Sequence, residues 1–269
     1  MQTDRSVASL SYNFRERRQM NQAQKAARFA KLHISGNPLL LYNAWDAGSA
    51  ATILDSGAKA IATSSWSVAR AQGYDDGEDI PFELLERIVG RIAAAVDAPV
   101  SVDFEGGYTE DDEELAGNIS CLLELGIVGI NIEDRVVKGR GLYPADRQAR
   151  RIAAIRAAAK KRGTNLFINA RTDVFFQSRD AAKAIDDALD RAKVYAAAGA
   201  SGLFVPGLKD ASLIGRICAG TELPVNVMIM AGVPTIKRLA KLGVARVSYG
   251  PIPFVRTMEA LAKQAKNAA

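Results

Sequence analysis

LELGIVGI, residues 123–130, joins a helix-forming stretch to a β-branched run through a single glycine. Three more segments repeat the phrase: LDSGAKAI at 54–61, AAAGASGL at 196–203 and AKLGVARV at 240–247. The glycine suits a left-handed helix cap, which other side chains resist. Working outward from these junctions, short β-branched or aliphatic runs alternate with Ala-, Leu- and Arg-rich stretches of helical length. Strands are predicted at 39–43, 59–63, 99–103, 128–133, 166–170, 202–206, 224–228 and 245–249. Helices are predicted over 47–56, 81–96, 111–125, 145–162, 180–198, 209–219 and 232–242, each with apolar residues three and four apart. Gly57, Gly126, Gly163, Gly199 and Gly243 close five of them. Eight such units predict an α/β fold of the closed (β/α)8 TIM type, spanning 21–269 as one domain after a loose arm over 1–20. The alternative, an open doubly wound sheet, is disfavoured by the number of units.

Composition excludes other classes. Of 269 residues, 48% are hydrophobic and 24% charged, an ordinary globular balance rather than a disordered or fibrous one. The longest apolar runs, such as LLLY at 39–42, are far too short for a membrane helix. The net charge of +5 is mild, and the basic residues are spread at helical spacing among alanines, so no nucleic-acid partner is expected. Cys121 and Cys218 show no metal or redox spacing and read as small buried hydrophobes. No apolar secretory segment opens the chain, so a cytoplasmic location is expected.

Spacing locates the working face. First and second predicted strands start 20 residues apart, whereas second and third start 40 apart and fourth and fifth 38 apart. The surplus, 64–80 and 134–146, follows carboxyl ends of strands, where barrel enzymes build their sites. Polar residues gather at the same ends: Asn43 and Asp46, Ser64 and Ser65, Asp75 and Asp76, Asp103 and Glu105, Glu133 and Asp134, Asn169, Arg171 and Asp173, with Asn226 inside the seventh strand. Carboxylates crowded into one mouth repel unless a cation holds them. Oxygen donors without a His or Cys cluster favour Mg2+ or Mn2+ over zinc. The single histidine, His33, precedes the first strand and reads as a surface or packing residue. Asp46 reads as a helix cap, and Asp173 as a cap or a site residue.

At these residues the sequence resembles the isocitrate lyase / phosphoenolpyruvate mutase superfamily, over about 25–255. The matching stretches are YNAWDAGSA (42–50), TSSWSVARAQGYDD (63–76), PVSVDFEGGY (99–108), GINIED (129–134), INARTD (168–173) and GLFVPG (202–207). The resemblance implies a Mg2+-dependent barrel acting on small α-oxo acids through a pyruvate-type enolate. It makes Asp103 the direct metal ligand, with Asp76, Glu105 and Glu133 holding the metal's waters. Ser64 and Ser65 would then serve the substrate carboxylate, with Arg171 facing the oxyanion. Tyr42, Trp66 and Asn226 complete the expected substrate-binding set, and Tyr143 is a second candidate wall. The resemblance further implies a dimer of dimers that exchanges a C-terminal helix, here 254–266.

One departure narrows the reaction. Lyases of this superfamily carry a Lys-Lys-Cys-Gly-His loop after the fourth strand, and here that loop reads VVKGRGLYP (136–144). Without Cys or His there is no acid for a succinate-type leaving group, which disfavours isocitrate or methylisocitrate cleavage. Lys138 and Arg140 remain but no Asn follows them, unlike the mutase loop. The expected activity is therefore that of a carbon–carbon lyase such as an oxaloacetate decarboxylase, with Glu133, Lys138 and Arg171 as catalytic residues. Lys138 or Arg140 would close over the distal carboxylate. Alternatives are phosphoenolpyruvate mutase or phosphonopyruvate hydrolase chemistry, or a barrel that binds an oxo acid without turnover.

Overall fold

A computed structural model describes residues 20–268; the arm expected over 1–20 lies, apart from Met20, outside the described residues. Eight parallel strands form the barrel wall: β1 (Leu39–Leu41), β2 (Ile61–Ala62), β3 (Val100–Asp103), β4 (Gly129–Glu133), β5 (Phe167–Arg171), β6 (Gly202–Phe204), β7 (Val225–Met228) and β8 (Arg246–Ser248). From β2 to β8 each strand pairs with the next, and β8 pairs with β1. Between β1 and β2 the circle closes through one parallel bridge, Ala44 with Thr63, where the Ala44 N–H donates to Ala62 O at 2.8 Å. This is the (β/α)8 barrel expected from the repeated junction.

Around the wall run α2 (Ala47–Asp55), α4 (Phe82–Ala95), α5 (Asp112–Glu124), α6 (Ala145–Lys161), α8 (Ala181–Ala197), α9 (Ala211–Gly220) and α10 (Ile236–Lys241). All seven fall on expected helices. The last two start later than expected, because Asp210 and Thr235 cap them through their side chains. Asp46 likewise caps α2, accepting from the Ser49 N–H at 2.7 Å. Strands bury both faces, which is why β4 reads as an unbroken apolar run at Ile130 and Ile132, both fully buried. Each such side chain contributes about 2 kcal/mol of burial.

Four shorter or terminal helices complete the chain: α1 (Gln22–Lys31), α3 (Ser65–Ala71), α7 (Val174–Gln177) and α11 (Ile252–Ala268). Helix α3 corrects the reading of 64–80 as open loop: Ser64 caps it, accepting from the Ser67 N–H. The bottom of the barrel is plugged by Phe29 of α1 against Phe167, with His33 stacked on Phe167 at 3.9 Å between ring centres. His33 is therefore a packing residue. Beyond Pro253 the outlook changes, since every residue of α11 from Val255 to Ala268 is exposed. No described helix is long and apolar enough to cross a membrane.

Candidate active site

Strand pairing sets the site's frame by placing Asp103 beside Asn131 and Glu133 beside Arg171 in register. Alternation then turns Asp103 and Glu133 to the same side as Asn131. The Asp103 carboxylate is held from two directions. Its Oδ2 accepts from the Ser65 N–H at 3.3 Å and the Ser65 hydroxyl at 3.2 Å, and its Oδ1 accepts from Asn131 Nδ2 at 3.1 Å. Asn131 is oriented by its own acceptor oxygen, which receives Asn169 Nδ2 at 2.8 Å and Arg246 Nη2 at 3.1 Å. Arg246 lies fully inside the barrel, and burial lowers its pKa to about 9 against the attraction of Asp103.

Arg171 is braced as a fixed cation. Its Nε and Nη2 grip Asp173 at 2.6 and 2.9 Å, and its Nη1 lies 2.8 Å from Glu133 Oε2. Burial works against the charge, but Glu133 and Asp173 outweigh it and raise the pKa above the ordinary arginine value. Asp173 is in turn anchored by Asp134, whose Oδ1 accepts the Asp173 N–H at 2.9 Å. Asp134 Oδ2 receives Tyr195 at 2.8 Å and Arg191 at 3.1 Å. Asp134, read only as a strand-end carboxylate, is thus a fully buried anchor for the Arg171 segment.

The carboxylates press on one another. Desolvation, then Asp76, Glu133 and Asp103, raise the Glu105 pKa to about 9. Desolvation raises Glu133 to about 7 even though Arg171 and Arg135 pull it down. Asp76 is also raised, by burial and by Asp103. Among the described residues no three His, Cys, Asp or Glu groups stand close enough to form a ready-made ligand cluster. The groups present nonetheless suit a hydrated hard cation: the candidate donors are carboxylate oxygens, and the buried Glu105 Oε1 has no hydrogen-bond partner.

A family model for phosphoenolpyruvate phosphomutase matches residues 29–269. The chain belongs to that family. A crystal structure of a candidate phosphonomutase from Burkholderia cenocepacia J2315 is 46% identical, with a TM-score of 0.90 over 93% of this chain and all of that one. An uncharacterized protein of Mycobacterium tuberculosis H37Rv, Rv1998c, is 35% identical over 88% of this chain and 87% of its own. The 2-methylisocitrate lyase of Salmonella typhimurium LT2 is 27% identical over 85% of this chain and 79% of its own. The family assignment agrees with the motifs that carried the resemblance.

Other expected site residues of this family member have partners of their own. Tyr42 falls on the outer face of the β1 strand line, 39% exposed and packed on Tyr249; the two-residue alternation that buries Leu41 and Asn43 points it outward. Trp66 packs edge-on against Phe254 and under Arg70. Asn226 is fully buried and bonded to Ser248. The Ser64 hydroxyl caps α3. Lys138 donates to Glu78 O at 2.9 Å. Tyr143 lines a cavity of about 280 Å3 between the loops after β3 and β4, with Glu78, Tyr108, Glu110 and Lys138. Asp76, Asp103, Glu105, Glu133, Ser65 and Arg171 stand within bonding or electrostatic reach of one another. Glu78, Asn131 and Arg246 were missed; the last two carried a signal, as polar residues in otherwise apolar strands.

Proposed function

We propose that this protein is a Mg2+-dependent lyase that removes CO2 from a small α-oxo acid of the oxaloacetate type. The observation carrying this reading is the crowded, buried carboxylate group around Glu105, with Arg171 braced beside it. Asp103 would bind the ion, and Asp76, Glu105 and Glu133 would hold its waters; Mn2+ suits the same oxygens. Bound there, the ion supplies Lewis acidity toward a carbonyl oxygen and its neighbouring carboxylate.

The chain's own residues account for the rest. Ser65 presents its hydroxyl at Asp103 and can share it with a substrate carboxylate. As the carbon–carbon bond breaks, CO2 departs and its electron pair moves onto the former carbonyl oxygen as an enolate. Arg171 faces that charge without having to reorganise, since Asp173 and Glu133 already fix it. Water then supplies the proton that converts the enolate to the ketone. No acid is needed on the leaving group, which suits a β4 loop without Cys or His.

The test is pyruvate release from oxaloacetate with and without Mg2+, above the metal's own background. Asp103→Ala and Arg171→Ala should each lower the enzymatic rate by roughly 100-fold or more. Unchanged rates in both would refute the site assignment. A second reading, carbon–phosphorus chemistry, is favoured by likeness to the candidate phosphonomutase. Phosphorus NMR after incubation with phosphonopyruvate separates the two. Oxalate binding with no turnover of any oxo acid would instead support a non-catalytic barrel.

The same reading includes a homo-oligomer that exchanges α11. In a closed barrel the helix after the last strand normally covers the outer wall near β1. Here α11 is exposed from Val255 onward, and on β1 Leu40 is 44% exposed. The apolar Val255, Met258 and Leu261 are then free to pack on a second copy.

A further inference from the structure

Among the described residues, three other than glycine hold a positive φ: Glu78 at 59°, Glu105 at 48° and Tyr108 at 64°. They come from the loops after β2 and β3, and they are bonded to one another. The Glu78 N–H donates to Glu105 Oε2 at 3.0 Å. The Glu78 carboxylate returns across the gap, its Oε1 accepting the Tyr108 N–H at 2.8 Å and a second bond from the Gly106 backbone. A Cβ at Gly106 would stand 3.0 Å from that oxygen and 2.7 Å from Val137 Cγ2, so only glycine lets the loops close this far. The Glu78 carbonyl accepts from Lys138 of the loop after β4. One residue therefore ties three loops at the mouth through its amide, its side chain and its carbonyl.

Backbone strain of this kind persists only where surrounding bonds over-determine it. Here one of those bonds, from the Glu78 N–H, fixes Glu105 Oε2 and leaves Oε1 as a buried acceptor without a partner. We propose that Glu78 is a positioning residue that aims the Glu105 carboxylate at the metal by clipping the loop after β2 onto the loop after β3. This rests on the metal reading above. Its carboxylate is engaged by the Tyr108 and Gly106 amides, so the role is one of positioning.

The experiment is Mg2+ titration calorimetry on the full chain and two variants. Glu78→Gly removes the carboxylate arm of the clip, keeps the amide and carbonyl arms and accepts the positive φ without strain, so it should fold with a cooperative thermal transition. Its Mg2+ affinity should nevertheless drop ~10-fold or more, as when an outer partner of a metal ligand is lost. Glu78→Gln keeps an acceptor oxygen for the Gly106 and Tyr108 amides and should restore near-native affinity. Native affinity in Glu78→Gly, or Glu78→Gln as weak as Glu78→Gly, would overturn the proposal. If the native chain itself binds no Mg2+, the metal reading falls and takes this inference with it.

Discussion

His33 shows how one residue couples packing to pH. Its Nδ1 bonds Phe29 O at 2.8 Å, its ring stacks on Phe167, and its buried Nε2 has no partner. Burial first, then the nearby Arg246 charge, lower its pKa from 6.5 to about 3 against the Phe29 bond. Unfolded chains take up a proton below pH 6.5 that the folded chain refuses until about pH 3. The contribution is therefore complete above pH 6.5 and is lost as pH falls, by up to ~1.4 kcal/mol per pH unit in that window. His33→Phe, keeping the stack, should flatten the stability difference between pH 7 and pH 5 in urea unfolding. An unchanged difference would show that His33 titrates normally. The sequence around His33 does not reveal this, because the ring it stacks on, Phe167 of β5, is more than a hundred residues away.

At the scale of elements, the strands were legible because buried parallel strands need continuous β-branched runs, and the helix–glycine junctions punctuated them. Helix α3 was not, since its seven residues show no clear apolar period and depend on the Ser64 cap. Among candidate site residues, the acids Asp103, Glu105 and Glu133 could be read as a group, since they follow one another at neighbouring strand ends. Tyr42 was misplaced because proximity to a strand end does not give the parity that decides inside from outside. Glu78 was missed because its role depends on loops that meet only in space. The Asp134 anchor gives a test at this scale, since Tyr195 of α8 donates to it in a buried contact. Tyr195→Phe should cost about 1–3 kcal/mol by leaving that buried acceptor short of a donor, measured by urea unfolding. A variant as stable as the native chain would mean that Arg191 and the backbone suffice for Asp134.

For the whole molecule, the barrel supplies a rigid frame whose strand ends carry Asp103, Glu133 and Arg171, while the loops after β2 and β3 bring Asp76 and Glu105 to them. The exposed α11 predicts a quaternary consequence. By light scattering after size exclusion, the native chain should be larger than a monomer, and Leu261→Asp should shift it toward a smaller species. A native monomer would contradict helix exchange. The central claim, a divalent ion held at Asp103 opposite Arg171, is tested most directly by oxalate calorimetry, because oxalate imitates the two adjacent oxygens of the enolate. Oxalate should bind in Mg2+, bind far more weakly without it, and lose its Mg2+ dependence in Asp103→Ala. Equal binding with and without Mg2+, or an Asp103→Ala chain that binds as the native one does, would contradict the account.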